Sequence, residues 1–264
     1  MAEPARIRPL RGAETPPREA PEESRCSLLR TVDGPDGRPE LRDTPLTPED
    51  FLDPQIGDIL VQGRPHDQVA RYLTDLLERG LASRPDILVV HELKHLFGPG
   101  LPGPGPDISV IVGLHDPDPD MESYSVAATG IPPGLIIEVV SPFDRRIREV
   151  DELVKPKLYA RIGVEEYVMV DLPRRANNRR FQLRGHRLDD QKRYQPMEPD
   201  AQGRLHSRVT GLLFGVSASG DRIEVHVAAT GERLLSSKEE EERRKAAESE
   251  LDRLRDELKR PRGK

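Results

Sequence analysis

Leu135-Ile136-Ile137-Glu138-Val139-Val140-Ser141-Pro142 sets five aliphatic residues around a single acid and ends in proline. The run is too short for a helix and reads as a strand buried on both faces. Glu138 is the anomaly, because an ionised side chain inside such a strand is expensive unless a cation meets it. A second run, Pro106-Asp107-Ile108-Ser109-Val110-Ile111-Val112, has the same character, with Asp107 at its start. It follows a Pro/Gly-rich loop over 98–105.

Working outward, residues 145–162 read as a helix stopped by Gly163, and 166–171 as a further strand. Upstream, 86–91 is a buried-strand run. Val69, Tyr72, Leu73, Leu76, Leu77 and Leu81 recur at helical spacing over 66–81. Thr47-Pro48-Glu49-Asp50 supplies a capping hydroxyl and a first-turn proline, so a short helix starts there. Residues 56–61 read as a short strand, and 179–184 and 222–228 as hairpin strands. Helices and strands in this order predict an α/β domain over 45–235, a mixed central sheet flanked by helices.

The ends differ. Residues 1–44 are rich in proline and charge without an apolar period, and include the turn signal Gly34-Pro35-Asp36-Gly37-Arg38-Pro39. They read as a disordered or loosely packed tail. Residues 236–264 read as a charged helix closed by Pro261, with Ala247, Leu251, Leu254 and Leu258 spaced as a short heptad seam. Both a solvated single helix and a self-pairing coil fit that pattern, so a homodimer stays open. The 264 residues contain one cysteine, Cys26, which excludes an internal disulfide. No run approaches the ~18–20 apolar residues of a membrane span, and the expected location is the cytoplasm. A net charge of −6 argues against a chain that coats nucleic acid by bulk charge, though not against a local basic groove.

Two strand carboxylates followed by a helical lysine suggest chemistry. A divalent cation held by Asp107 and Glu138 would supply the missing charge, and hard oxygen ligands favour Mg²⁺ (or Mn²⁺). Lys155 shares a helix face with Tyr159, four residues on, and could offset phosphate charge. Such a set suits metal-assisted phosphodiester hydrolysis. Ion-paired or strand-end acids are the competing explanation. His66 reads as a helix-opening structural residue or a phosphate contact, Tyr159 as core with a polar tip, and Asp171 as a turn residue. Residues 174–193 hold eight basic side chains, among them Arg174, Arg175, Arg179 and Arg180, against Asp189 and Asp190. They form either a charged hairpin edge or a patch gripping a nucleic-acid backbone.

The order Pro106-Asp107, Glu138-Val139-Val140-Ser141-Pro142, Asp151, Lys155, Tyr159, Gly163-Val164-Glu165-Glu166-Tyr167 and Val170-Asp171, with Gln62-Gly63 and His66 before it, resembles the Uma family. That is a bacterial family of restriction-endonuclease type within the PD-(D/E)XK nuclease superfamily. The resemblance implies a restriction-endonuclease-like fold and a Mg²⁺-dependent enzyme acting on DNA. It also implies a site in which Asp107, Glu138 and the Val139 carbonyl hold metal and Lys155 assists. The superfamily lysine ordinarily stands two residues after the glutamate, where this chain has Val140. Lys155 matches a position migrated to the next helix. Lys157 is its neighbour on another face, and Pro156 lies inside the helix. The displaced lysine keeps a second reading in play, a catalytically inactive module of the same fold that binds nucleic acid or protein.

Overall fold

A computed structural model of the chain describes residues 26–259 apart from 37, 116, 119, 143 and 174–179. It opens with β1 (Ser27–Asp33) and β2 (Pro39–Pro45), then α1 (Pro48–Leu52), β3 (Ile59–Val61) and α2 (Arg64–Leu81). β4 (Ile87–His91), β5 (Lys94–Leu96), β6 (Ile108–Val112) and β7 (Ser123–Ser125) follow, with a single turn α3 (Val126–Thr129). Next come β8 (Leu135–Val140), α4 (Arg145–Glu149), a π-helical turn (Val150–Val154), α5 (Lys155–Ile162) and β9 (Glu166–Asp171). β10 (Gln182–Leu188), β11 (Tyr194–Pro196), β12 (Leu205–His206), β13 (Leu212–Val216), β14 (Ile223–Val227) and α6 (Ser237–Lys259) complete it.

The central sheet has six strands in the order β11-β10-β9-β8-β6-β4. β8 and β9 are parallel and the other pairs antiparallel, so the sheet is mixed as expected. Side chains of β8 alternate between two cores. Leu135, Ile137 and Val139 pack with Leu73, Leu76 and Leu77 of α2, whereas Ile136 and Val140 pack with Leu158 and Tyr159 of α5. Glu138 shares the parity of Ile136 and Val140, so it faces α5. Ile108 stands opposite Ile137, so continuing the antiparallel register brings Asp107 beside Glu138. Two acids thirty-one residues apart in sequence thus meet on one face of the sheet.

Residues 27–45 are not a loose tail. β1 and β2 form a hairpin closed by Gly34 N–H to Arg38 O (2.8 Å), and β3 pairs on the other side of β1. Cys26, Leu28 and Leu46 bury with Phe51, Ile147 and Val150 in a satellite core, while Arg30 ties β1 to Asp50 and Asp58. The ordering comes from partners later in the chain, which local composition does not show. Residues 1–25 and Pro261 lie outside the described residues.

Residues 145–162 also depart from one regular helix. Proline lacks an N–H and clashes with the preceding turn, so an α-helix cannot run through it unchanged. The backbone absorbs Pro156 by loosening just before it, where Lys155 N–H reaches Val150 O five residues back. α5 then runs to Gly163, whose φ of 97° makes it the expected left-handed cap. Gly80, near the end of α2, is a packing position rather than a cap: a Cβ there would sit 2.5 Å from Leu234 Cδ1.

His95 on β5 is fully buried against Phe97 and Tyr124, and its Nδ1–H donates to Leu93 O at 2.7 Å. Its Nε2 is buried with no hydrogen-bond partner among the described residues, and burial holds the imidazole down at about 4 rather than its ordinary 6.5. Between those values the unfolded chain takes up a proton that the folded chain refuses, so stability falls as pH drops through that window. The expected loss is about 3 kcal/mol, complete near pH 4. Urea unfolding at pH 7 and pH 4 should show that His95→Phe removes this part of the pH dependence.

Candidate active site

Asp107 immediately precedes β6, where the Pro/Gly loop delivers the chain to the sheet. Its Oδ2 accepts the Val139 N–H at 2.6 Å and lies 3.1 Å from His66 Nε2 in the first turn of α2. Glu138 Oε1 accepts the Tyr159 hydroxyl at 2.8 Å and is ion-paired with Lys155 Nζ at 2.9 Å. Lys155 also lies 2.8 Å from Asp151 Oδ1 and 4.0 Å from the centre of the Phe51 ring. The loosened turn and the proline thus align Asp151, Lys155 and Tyr159 along one face, at i, i+4 and i+8. Tyr167 fixes that turn by donating to Asp151 O at 2.8 Å.

All three expected residues therefore converge, at 4%, 1% and 0% exposure for Asp107, Glu138 and Lys155. Lys157 is exposed on another face. Val139 turns its N–H toward Asp107 while the next residue, Val140, gives its carbonyl to Leu172 on the β9 side. Since a strand residue's N–H and C=O share an edge, the Val139 carbonyl faces the Asp107 side. His66, at the helix start, touches Asp107 directly. Asp151 entered the sequence reading only as one residue of the pattern that resembles the Uma family, with no role attached. Asp171 ion-pairs with Arg148 (2.6 Å) and Arg184 (2.9 Å), which keeps it out of this cluster.

The electrostatics are unbalanced. Asp107, Glu138 and Asp151 face Lys155 and His66, so the buried carboxylates exceed the permanent cation by two. Burial, together with Asp107 and Asp151, pushes Glu138 up to about 8 against the pull of Lys155. Burial likewise raises Asp151. Burial also opposes the charge on Asp107, but His66, Lys155 and the Val139 N–H outweigh it and hold the carboxyl below its ordinary value. Burial works against Lys155 too, yet Asp151, Glu138 and Asp107 lift its amine above the ordinary value, so it stays protonated.

These residues fit a divalent cation on two observations. Three buried carboxyls share one permanent cation, so Glu138 is driven toward the neutral form that a divalent ion would let it leave, and two carboxylate oxygens stand open to one. Asp107 Oδ1 accepts no hydrogen bond among the described residues, and Glu138 Oε2 receives only the long 3.4 Å contact from Asp107 N–H. No group of three or more His, Cys, Asp or Glu side chains among the described residues is arranged to hold a metal. Two carboxylates and a main-chain carbonyl are accordingly the donor set available.

A cleft of about 270 Å³ reaches Asp107 from the surface, between the 54–62 segment and Glu92, Lys94, Gly105 and Glu122. Its walls carry more acids than bases, and Lys94 is paired with Asp53 at 2.9 Å. The basic stretch after β9 is mostly engaged elsewhere. Arg184 pairs with Glu152 and Asp171, Arg187 with Glu166, and Arg180 donates to the carbonyls of Ala218 (3.0 Å) and Ser219 (3.4 Å). Arg174, Arg175 and Arg179 lie outside the described residues. No helix among the described residues is long and apolar enough to cross a membrane.

No curated protein matches the chain. The crystal structure of a putative nuclease belonging to DUF820 from Anabaena variabilis is similar at 16% identity and a TM-score of 0.38, covering 55% of this chain and 75% of that one. The family model Uma2, described as putative restriction endonuclease, matches residues 50–223. That span takes in Asp107, Glu138, Asp151, Lys155 and the sheet that brings them together, and the chain belongs to the Uma2 family.

Proposed function

We propose that the chain is a metal-dependent endonuclease that hydrolyses DNA phosphodiester bonds, with Asp107, Glu138 and the Val139 carbonyl holding Mg²⁺ or Mn²⁺. The observation that supports this most is the meeting of two strand carboxylates and a protonated lysine, with Asp107 lining an open cleft and Glu138 and Lys155 buried behind it. A bound divalent ion would polarise the phosphate and lower the pKa of a water. Asp107 is aimed by the Val139 N–H and by His66, and Glu138 by Tyr159. Lys155, kept cationic by Asp151 and Glu138, offsets charge on the phosphate rather than accepting a proton. Water's oxygen forms the new P–O bond, one ester P–O bond breaks, and a proton passes to the leaving oxygen.

The acidic cleft bears on how DNA would bind. A polyanion approaching those walls is repelled unless divalent cations intervene, so binding and cleavage share a cation requirement. Any grip on the DNA backbone falls to Arg174, Arg175, Arg179 and Arg180, of which Arg180 is held against the 218–219 carbonyls. A second reading has its own support, because Lys155 and Tyr159 already occupy Glu138 Oε1, as they would in an inactive binding module.

Purified protein should nick or linearise supercoiled plasmid with Mg²⁺ or Mn²⁺, and EDTA should stop it. RNA assayed alongside decides the nucleic acid. Absence of cleavage with either ion, together with no calorimetric heat for Mg²⁺, would favour the inactive module.

A further inference from the structure

α6 begins on the domain and then leaves it. Ser237 bonds to Asp75 through both its N–H and its hydroxyl (2.7 and 2.5 Å), and Arg79 pairs with Glu240. Beyond that anchor, every residue from Glu240 to Glu257 is exposed, including Leu251 at 54% and Leu254 at 44%. Two leucines and Ala247 thus line one stripe of a helix whose other faces are charged.

The charges around the stripe are ordered. Taking Leu251 as heptad position a and Leu254 as d places Ala247 at the preceding d and Leu258 at the next a. Position g is then filled by Arg243 and Glu250, and position e by Glu248 and Arg255. In a parallel two-stranded coil each g residue faces the e residue five places later on the other helix. Arg243 would face the partner's Glu248, and Glu250 the partner's Arg255. Both pairs are opposite in sign. An antiparallel pairing that seats Leu251 on the partner's Leu254 keeps Glu248 against the partner's Arg255 but sets Glu250 against the partner's Glu257, so only the parallel pairing makes both flanks attractive. Within one chain, Arg244–Glu248, Arg253–Glu250 and Arg255–Asp252 are exposed ion pairs of small individual worth, so regrouping them across a seam meets little opposition.

We propose that this helix pairs, parallel and in register, with that of a second copy of the chain, through Ala247, Leu251, Leu254 and the two flanking charge pairs. Leucine burial supplies the affinity and the flanking charges select orientation and register. Arg244 and Glu240 at the preceding a and d positions confine the seam to the outer half of the helix, so the dimer forms and dissociates with concentration. The pairing does not depend on the catalytic reading, because none of its residues lies in the 107–159 cluster.

Light scattering on the full chain, from about 5 to about 500 µM, should show a mass rising from one chain toward two. Leu251→Ser with Leu254→Ser should hold it at one. Glu250→Arg puts like charges in both symmetry-related pairs and should weaken the dimer at least about tenfold. Adding Arg255→Glu to it should restore the association, while circular dichroism reports unchanged helix content. A monomer at every concentration, or a dimer that survives loss of both leucines, overturns the proposal. Equal weakening by the single and double charge swaps overturns the parallel register.

Discussion

Lys155→Met should destabilise the folded protein by about 3–5 kcal/mol in urea unfolding at neutral pH. Methionine nearly fills the volume, so the loss is electrostatic rather than a cavity. Lys155 is fully buried and is the permanent cation among Asp107, Glu138 and Asp151. Removing it strands carboxylates that water cannot reach, and the penalty is the desolvation of unpaired charge. Two comparisons isolate that cause. Lys157→Met, two residues along on an exposed face, should stay within about 0.5 kcal/mol of the parent. In a Glu138→Gln background the same Lys155→Met change should cost about 1–3 kcal/mol less, since half of the stranded pair is already neutral. Equal costs in both backgrounds would mean that Lys155 is packing rather than counter-charge. On the proposed function the variant also loses cleavage, because no other described cation takes its place beside Glu138.

The sequence makes the sheet legible because its central strands are written in aliphatics. β9 matches the run 166–171 residue for residue, and β4, β6 and β8 differ from their runs only at the ends. β1 and β2 carry no such signature. β2 is exposed along nearly its whole length, and its order comes from pairing with β1, itself anchored by Leu28 and Arg30 on distant partners. The turn signal at 34–39 was real, but a turn without apolar flanks does not announce a hairpin. The site was half visible for a related reason. An acid inside Ile-Ile-Glu-Val-Val is conspicuous from sequence, whereas the register that sets Asp107 beside it belongs to the fold. Lys155 could be assigned a helix face only by assuming a regular helix, and Pro156 contradicts that assumption. The π-helical turn reconciles the two, and only three-dimensional packing of Tyr167 and Phe51 around it fixes where the amine points. His66 was open to two readings, a helix-opening structural residue or a phosphate contact, and nothing local reveals a carboxylate forty-one residues later in the chain.

Asp107→Asn should separate activity from stability, removing the first and leaving the second nearly unchanged. Asp107 lines the cleft and has a carboxylate oxygen that accepts no hydrogen bond among the described residues, so in the proposed mechanism its charge is needed to hold the cation. Losing several kcal/mol of charge stabilisation corresponds to a fall in plasmid cleavage on the order of 10³-fold or more. Stability should not follow. Without a cation, Asp107 is one of three buried acids, and its charge helps to push Glu138 up to about 8. An amide removes that repulsion, and its oxygen, standing where Oδ2 stands, can still accept the Val139 N–H and face His66 Nε2 while its NH₂ takes the place of Oδ1. Relief of Glu138 offsets the lost attraction of the Asp107 charge to His66 and Lys155, so the melting temperature in EDTA should stay near that of the parent, and the heat of Mg²⁺ binding should disappear. A variant that melts lower and loses activity in proportion would make Asp107 a structural residue. A variant that cuts at the parental rate would remove Asp107 from the reaction, and with it the role assigned to the cleft.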